Sequence, residues 1–510
     1  MNQAGLLKRN LIANYLGQGW TGLVGLAFIP VYVSYLGVES YGLIGLFGLL
    51  TAWLSLLDAG MTPTLAREMA RCSGGERSTQ STRDLLRSIE FIALGVAVVT
   101  CGVIHIASGW IAVSWLRLEK LPVAVVAQAF SIMGLVAALR FLEGLYRGSL
   151  IGLQRQLQLN AVGSLMATIR ALGAVAILAW VSPTIQAFFL WQALVSVVTL
   201  IVLMRLTYGL LPLSERAGRF SMEALRGVAR FAGGMFGGTC LVLVLTQVDK
   251  LLLSKMLELT AFGYYTLAAT AAGTIALLGT PIVQAWFPRL SQLQASQDQV
   301  ALNRTFHMGA QLVTVTVGTA GVVFAVFAEP IMKVWTQDPE LARRTASLVS
   351  ILAVGGLLNG LMWIPYQTQL AHGWTGLVTR MNFVAVLIIV PALLWAVPLY
   401  GAHGAAWVWV ALNVGYVMLG AHFMFKRILE SEKWQWYLHD VTLPLLAAVL
   451  VCVSLRSLFP EVESLIMQSV AVVVAAVGSL LASAFFAGLV REQILRYLPM
   501  IGKNRDGKHS

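Results

Sequence analysis

Residues 139–160 read LRFLEGLYRGSLIGLQRQLQLN, and long apolar blocks flank them on both sides. Arg140, Glu143 and Arg147 fall at i, i+3 and i+7, which places them on one helix face. Gly144, Gly148 and Gly152 recur every four residues and form a smooth stripe that permits close helix approach. Arg155 and three glutamines follow. An apolar helix that gathers charge near its end, turns, and starts a second apolar helix is leaving a bilayer and re-entering it.

The rest of the chain has the same character. Of 510 residues, 58% are hydrophobic and 11% are charged, and the mean hydropathy is +0.77. An ordinary soluble protein carries about 25% charged residues, so lipid is the solvent for most of this chain. The expected fold class is all-α: a polytopic membrane protein of about 14 transmembrane helices. Cys72, Cys101, Cys240 and Cys452 have no motif spacing, and the seven histidines form no HxxxH-type pair, so neither a disulfide framework nor a metal site is expected. Lys8 and Arg9 precede an apolar run reaching about Leu36. That run is too long for a signal peptide's apolar region and reads as a retained helix.

The net charge of +12 follows from membrane topology rather than from nucleic acid. With the N-terminus placed inside, 25 of the 35 Lys and Arg residues fall on the inner side, 7 on the outer, and Arg140, Arg170 and Lys250 lie within spans. This bias predicts both termini in the cytoplasm and an even number of spans. No connecting loop is long enough to house a soluble domain.

A shift of 221 residues superimposes Arg9 on Arg230, Gly17 on Gly238, Leu36 on Leu257, Gly42 on Gly263 and Leu46 on Leu267. The repeat spans six helices. An even repeat enters the membrane in the same direction twice, so two six-helix lobes are expected, related by a pseudo-two-fold axis along the membrane normal, with a site between them near the midplane. The expected organisation is an N-terminal lobe at 1–210, a cytoplasmic linker at 211–226, a C-terminal lobe at 227–428, two further spans at 429–490 and a basic cytoplasmic tail at 491–510.

Charges inside the membrane are costly and usually face a protein interior or a water-filled cavity. Asp58, Arg140, Glu143, Arg170, Asp249 and Lys250 are such charges, with Arg147 at the helix mouth. Glu143 cannot neutralise both Arg140 and Arg147, so that face keeps net positive charge. Arg140 either snorkels from two turns below the cytoplasmic end or meets substrate. Arg170, in LMATIRALG, is near the midplane, where snorkelling is difficult; Glu143 on the preceding helix is its expected partner. Lys250 lies about a turn and a half from the outer end. Asp249 is either a cation or proton site or a partner for a neighbouring helix. Asp58, in LLDAGM, is either an ion-coupling group or a helix terminator. A cavity lined by Arg170, Arg140, Arg147 and Lys250 suits an anion such as a phosphate or pyrophosphate. The chain contains no GxxxxGK[ST] phosphate loop, GxSxG or HExxH motif, so transport without bond chemistry is expected, not an enzyme, and no cofactor beyond a coupling proton or sodium ion.

Four stretches carry a family resemblance: YLGVESYGLIGLFGLLTAWLSLLDAGM (35–61); LYRGSLIGLQRQLQLN (145–160); QVDKLLLSKMLELTAFGYYTLA (247–268) with PIVQAWFPRLSQL (281–293); and YQTQLAHG…PLYGAHGAAW (366–407). In this order, over some 400 residues, they are similar to the polysaccharide (O-antigen or exopolysaccharide) flippases of the multidrug/oligosaccharidyl-lipid/polysaccharide exporter superfamily. The resemblance implies two six-helix lobes around a cavity, and turnover of an undecaprenyl-pyrophosphate-linked oligosaccharide from the cytoplasmic to the periplasmic leaflet of a bacterial inner membrane, with proton or sodium antiport. It implies a monomer working beside a polysaccharide polymerase and glycosyltransferases, in contact with membrane lipid. The alternatives are a lipid II flippase, a multidrug cation antiporter, or a membrane polysaccharide polymerase or ligase. A cation antiporter would want unpaired carboxylates where this chain places arginines, and a polymerase or ligase a sizeable periplasmic loop.

Overall fold

Within a bilayer a backbone N–H or C=O has no water to bond, so a spanning segment must satisfy its own polar groups, and a helix does so. The computed structural model describes residues 3–58, 60–75, 78–211, 216–458 and 464–496, with side chains described outside 3–12 and 227–239. Parts of the expected linker (212–215) and tail (497–510), and the side chains of the Arg9–Arg230 repeat pair, lie outside the described residues. Among the described residues the regular elements are all helices, with no strand, and the sole β-bridge joins Arg117 and Glu258.

Two units can be distinguished, residues Met1–Gly263 and Tyr264–Ser510. The first holds α1 (Gln3–Ala27), α2 (Ile29–Leu54), α3 (Met61–Ser73), α4 (Thr79–Trp110), α5 (Val123–Gly152), α6 (Gln156–Trp180), α7 (Ile185–Leu210), α8 (Met222–Met256) and the start of α9 (Leu259–Gly273). The second continues with α10 (Ile275–Ala295), α11 (Gln299–Val313), α12 (Thr319–Val326), α13 (Ala328–Thr336), α14 (Pro339–Leu361), α15 (Trp363–Ala371), α16 (Gly376–Gly415), α17 (Ala421–Arg427), α18 (Lys433–Gln435), α19 (Leu443–Leu458) and α20 (Leu465–Phe486).

Among the described residues, eleven helical runs are long and apolar enough to cross a membrane, and the chain is a multi-pass membrane protein. The difference from fourteen has identifiable sources. The eleven leave out α1 and α8, whose side chains are described only in part, and Gly376–Arg427 counts once although it is 52 residues long. At 1.5 Å per residue such a run is about 78 Å, more than twice a hydrocarbon core of about 30 Å. It bends at Gly401, where φ is 58° and a side chain would be strained.

The opening stretch forms the end of α5, a short turn and the start of α6. Gln154 takes a left-handed φ of 56° and stops the first helix, and the N–H of Arg155 returns to the carbonyl of Leu150 at 2.9 Å. The glycine stripe of α5 seats α3: a Cβ on Gly152 would stand 2.2 Å from the Ala66 carbonyl oxygen, and one on Gly148 2.7 Å from that of Thr62. Close approach of this kind is what small residues give membrane helices.

The sequence repeat has a structural counterpart. A Cβ on Gly42 would meet the carbonyl oxygen of Leu259 at 2.7 Å, and one on Gly263 would meet that of Val38 at 2.4 Å. Val38 and Leu259, like Gly42 and Gly263, are 221 residues apart. The two contacts are therefore the same contact made twice with the roles exchanged, the signature of a two-fold relation between α2 and the start of α9. Close by, the buried Glu39 carboxylate accepts from the N–H groups of Glu119 (2.9 Å), Lys120 (3.0 Å) and Leu121 (3.2 Å), fixing the turn between α4 and α5 to α2.

Candidate functional site

The candidate site is built by α2, α5, α6 and α7. Positions i, i+3 and i+7 of α5 present Arg140, Glu143 and Arg147, and Glu143 is buried to 3% exposure. Its two oxygens are divided between two arginines: Oε2 accepts from Arg147 Nη2 at 3.4 Å, and Oε1 lies 3.8 Å from Arg170 Nη2, which arrives from α6. The chain geometry places Arg170 firmly, because Trp191 Nε1 donates to its carbonyl at 3.2 Å and the Tyr32 hydroxyl donates to that of Ala171 at 3.5 Å.

Helix α7 supplies two uncharged partners at i and i+4. Gln192 Oε1 accepts from Arg140 Nη2 at 3.2 Å, and Ser196 Oγ from Arg170 Nη2 at 3.4 Å. Arg140 also lies over the Phe47 ring, 4.8 Å from its centroid. It therefore points into the unit. The opening left by Arg147, whose side chain is 40% exposed, keeps one edge of the cluster accessible.

Three guanidiniums face one carboxylate, a net charge of +2, since arginine stays protonated in proteins. The Nε atoms of Arg140 and Arg170 are buried and have no hydrogen-bond partner among the described residues. Buried donors on a cation without acceptors are unfavourable, and an oxyanion would satisfy both the donors and the charge. Gln192 and Ser196 complete the site; neither was marked in the sequence, although a buried polar pair at helical spacing inside FFLWQALVSVV was the available signal.

The other expected residues are elsewhere. Asp58 ends a short 3₁₀ turn and caps α3: its Oδ1 accepts from the Thr62 N–H at 3.1 Å and from the Thr62 hydroxyl at 2.7 Å. Lys250 and Asp249 lie half-buried on α8, and no hydrogen bond or ion pair joins Lys250 to the described residues of the arginine cluster. An apolar cavity of about 450 Å³ lies in the second unit between the two halves of α16, lined by Met381, Val384, Ile388, Leu412 and Tyr416 with Arg380 at its edge. It contains none of the expected residues, and the chemistry of the first unit is the better guide to a site.

A family model described as "Polysaccharide biosynthesis protein" matches residues 7–294, more than half of the chain. The chain belongs to this family. It is 20% identical over 403 residues to the Shigella flexneri protein named "Putative O-antigen transporter", covering 79% of this chain and 93% of that protein. Among solved structures, the lipid II flippase MurJ in an inward closed conformation matches with a TM-score of 0.69 at 12% identity, over 95% of this chain and 99% of that one. An inward-facing multidrug-resistance MATE transporter of the MOP superfamily matches with a TM-score of 0.66 at 15% identity, over 81% and 96%. A MOP-superfamily transporter from Pyrococcus furiosus, reported with a binding pocket of reversed polarity, matches at 0.55 and 18% identity, over 84% and 96%. At these identities the structural likeness establishes the shared fold.

Proposed function

We propose that this family member is a flippase that moves an undecaprenyl-pyrophosphate-linked oligosaccharide from the cytoplasmic to the periplasmic leaflet of a bacterial inner membrane. The observation that carries the reading is the buried cluster of Arg140, Arg147 and Arg170 around the single carboxylate of Glu143. A net charge of +2 with unused donors, inside apolar helices, is complementary to a pyrophosphate and unfavourable for a cationic drug. The family match and the curated relative support a polysaccharide-linked cargo.

In this reading Arg170, Arg140 and Arg147 hold the pyrophosphate, with Lys250 as a further cation on the path. Glu143 pairs with the arginines between cargoes, and Asp249 and Asp58 are the acidic groups available for ion coupling. Two six-helix lobes, 1–210 and 227–428, work by alternating access with proton or sodium antiport. Both termini face the cytoplasm, as the positive-inside bias implies. The chain acts as a monomer that receives cargo made by glycosyltransferases and hands it to a polymerase.

Lipid II is a second cargo that fits: it too carries an undecaprenyl-pyrophosphate anchor, and MurJ matches over 95% of this chain. The test is reconstitution in liposomes with a fluorescent pyrophosphate-linked glycolipid in the inner leaflet, followed by an enzyme that trims only glycan exposed outside. Trimming that rises with the protein and falls with Arg170→Gln supports the reading. Trimming equal to empty liposomes for both a short O-unit lipid and lipid II overturns it.

A further inference from the structure

The second unit contains a charged cluster that plays no part in the arginine site. His307, about two turns into α11, is 3% exposed, and Asp440 is fully buried. His307 Nδ1 is hydrogen-bonded to Asp440 Oδ2, and His307 Nε2 lies 3.0 Å from Glu432 Oε2. The remaining carboxylate oxygens are occupied. Gln311 Nε2 donates to Asp440 Oδ1 at 2.8 Å, and Asn303 Nδ2 and the Ser431 hydroxyl donate to Glu432 Oε1 at 2.9 and 3.2 Å. Asp440 sits on a π-helical stretch, Trp436–Thr442, a widening of the helix that often marks a functional position.

The contacts impose a proton count. A neutral imidazole donates from one nitrogen only. With both carboxylates ionised and the ring neutral, one of the two contacts would set a lone pair against an anion in a buried site. Both become hydrogen bonds only when the three groups together hold one proton more. Glu432, the most exposed of them at 18% of its side chain, is the route by which that proton exchanges.

The cluster also holds the start of a further helix, 488–496, that follows α20. Gln311, fixed by Asp440, accepts from the N–H groups of Leu489 and Val490 at 2.8 and 3.4 Å through Oε1. These are backbone donors in the first turn of that helix, where no helical carbonyl precedes them. The other charged groups nearby are His439 on the Asp440 segment, Lys433, which is turned to His422 at 3.0 Å, and the exposed pair of Arg304 and Glu492 at 3.3 Å. None of them donates to the Asp440 or Glu432 oxygens that face His307.

We propose that His307, Asp440 and Glu432 form a proton-binding site, and that its bound proton clasps the start of the helix following the last membrane span to α11. Losing the proton turns the His307–Glu432 contact repulsive, loosens Asp440 and Gln311, and releases residues 489–490. The site differs from the arginine cluster in its residues and in its ligand, so it stands or falls independently of the cargo.

The test is hydrogen exchange, read by mass spectrometry, on the full chain in lipid nanodiscs from pH 5.5 to 8.5. After correction for intrinsic exchange, protection of the peptide containing Leu489 and Val490 should fall about tenfold per pH unit above the titration point, the slope of one linked proton. Glu432→Gln is the decisive variant. Its amide donates to His307 Nε2 at every pH while its oxygen keeps Asn303 and Ser431, so protection should stay high and flat. Wild-type protection that does not change with pH, or a Glu432→Gln protein that retains the tenfold slope, overturns the proposal. His307→Gln, which removes the ring, should give low protection at every pH; protection equal to wild type at pH 5.5 also refutes it.

Discussion

Replacing Arg170 by glutamine tests the arginine cluster at its deepest member. In the folded protein Arg170 lies 3.8 Å from Glu143 Oε1, and Arg147 lies 3.4 Å from Oε2. At an effective dielectric constant of about 20, each separation corresponds to a gross attraction of roughly 4–5 kcal/mol, most of it offset by desolvation. Removing Arg170 therefore leaves Glu143 with a charged partner at the shorter of the two distances. Glutamine also keeps a donor for Ser196. The Arg170→Gln protein should insert and fold, with a stability loss of about 1 kcal/mol.

The cargo effect is larger. The cluster falls from a net charge of +2 to +1, and a pyrophosphate loses one charge-assisted partner. Such a bond contributes about 1.5–3 kcal/mol, which is roughly a 10- to 150-fold loss of affinity. Glu143→Gln raises the cluster to +3 and should bind the same anion more tightly than wild type. Binding of a pyrophosphate-linked lipid to purified protein, measured by thermal shift and by equilibrium titration, gives the order Glu143→Gln, wild type, Arg170→Gln. Export of glycan to the cell surface should be lost in Arg170→Gln at wild-type protein levels. An Arg170→Gln protein with wild-type affinity, or a Glu143→Gln protein that binds more weakly than Arg170→Gln, refutes the assignment of this cluster to an anion.

Three further outcomes follow from the packing and the charges. Gly152→Ala sets a methyl group 2.2 Å from the Ala66 carbonyl oxygen, which must push α3 off α5; overpacking of this kind costs about 1–3 kcal/mol and should lower the thermal unfolding midpoint, whereas Gly144→Ala, whose nearest atom is Thr62 Oγ1 at 3.5 Å, should not. Gly42→Ala and Gly263→Ala make the same clash with exchanged roles, so their losses of stability should agree within the error of the unfolding measurement; a large effect at one and none at the other would disprove the two-fold contact. Glu258 is held above the ordinary glutamate range by its hydrogen bond to Glu119 and by that group's charge, while Glu119 is held below it by the Thr260 hydroxyl and by Glu258. A raised group stabilises below its unfolded value and loses that effect as pH rises; a lowered group does the reverse. Exchange protection at 258–260 should therefore peak around the ordinary glutamate value of about 4.3 and fall toward neutral pH, and Glu258→Gln should remove the fall on the alkaline side.

The sequence made some of this molecule readable and concealed the rest for physical reasons. Arg140, Glu143, Arg147 and Arg170 were visible because an ionised group in an apolar span is rare and demands a partner. Their helical spacing supplied the face, and the short turn at 153–155 brought the next helix back beside it. Gln192 and Ser196 were less visible, since uncharged polar residues are tolerated in spans and draw little notice singly. His307 and Asp440 are separated by 133 residues, and no local pattern announces a contact that only tertiary packing creates. Spans read from apolar runs diverge from helices read from the backbone wherever a helix continues through a kink, as at Gly401.

The 221-residue repeat sharpens what the two charged clusters mean. Applying the shift to the first site turns Arg140 into Leu361, Glu143 into Ile364, Arg147 into Thr368 and Arg170 into Pro391. The second copy keeps the small-residue contact of Gly42 and Gly263 but carries none of the site's charges. Working backwards, His307 falls on Leu86, and Asp440 lies beyond the repeat altogether. Backbone contact and charge thus follow different rules here. The glycines are needed twice because α2 and the start of α9 approach closely at two equivalent points, and a side chain on either would separate them. A cluster of buried arginines duplicated in both copies would double the net positive charge without a second carboxylate to hold it. The charges of the first site thus belong to one copy alone, and of the second cluster only His307 lies within the repeat, its partners Glu432 and Asp440 coming from the residues that follow it.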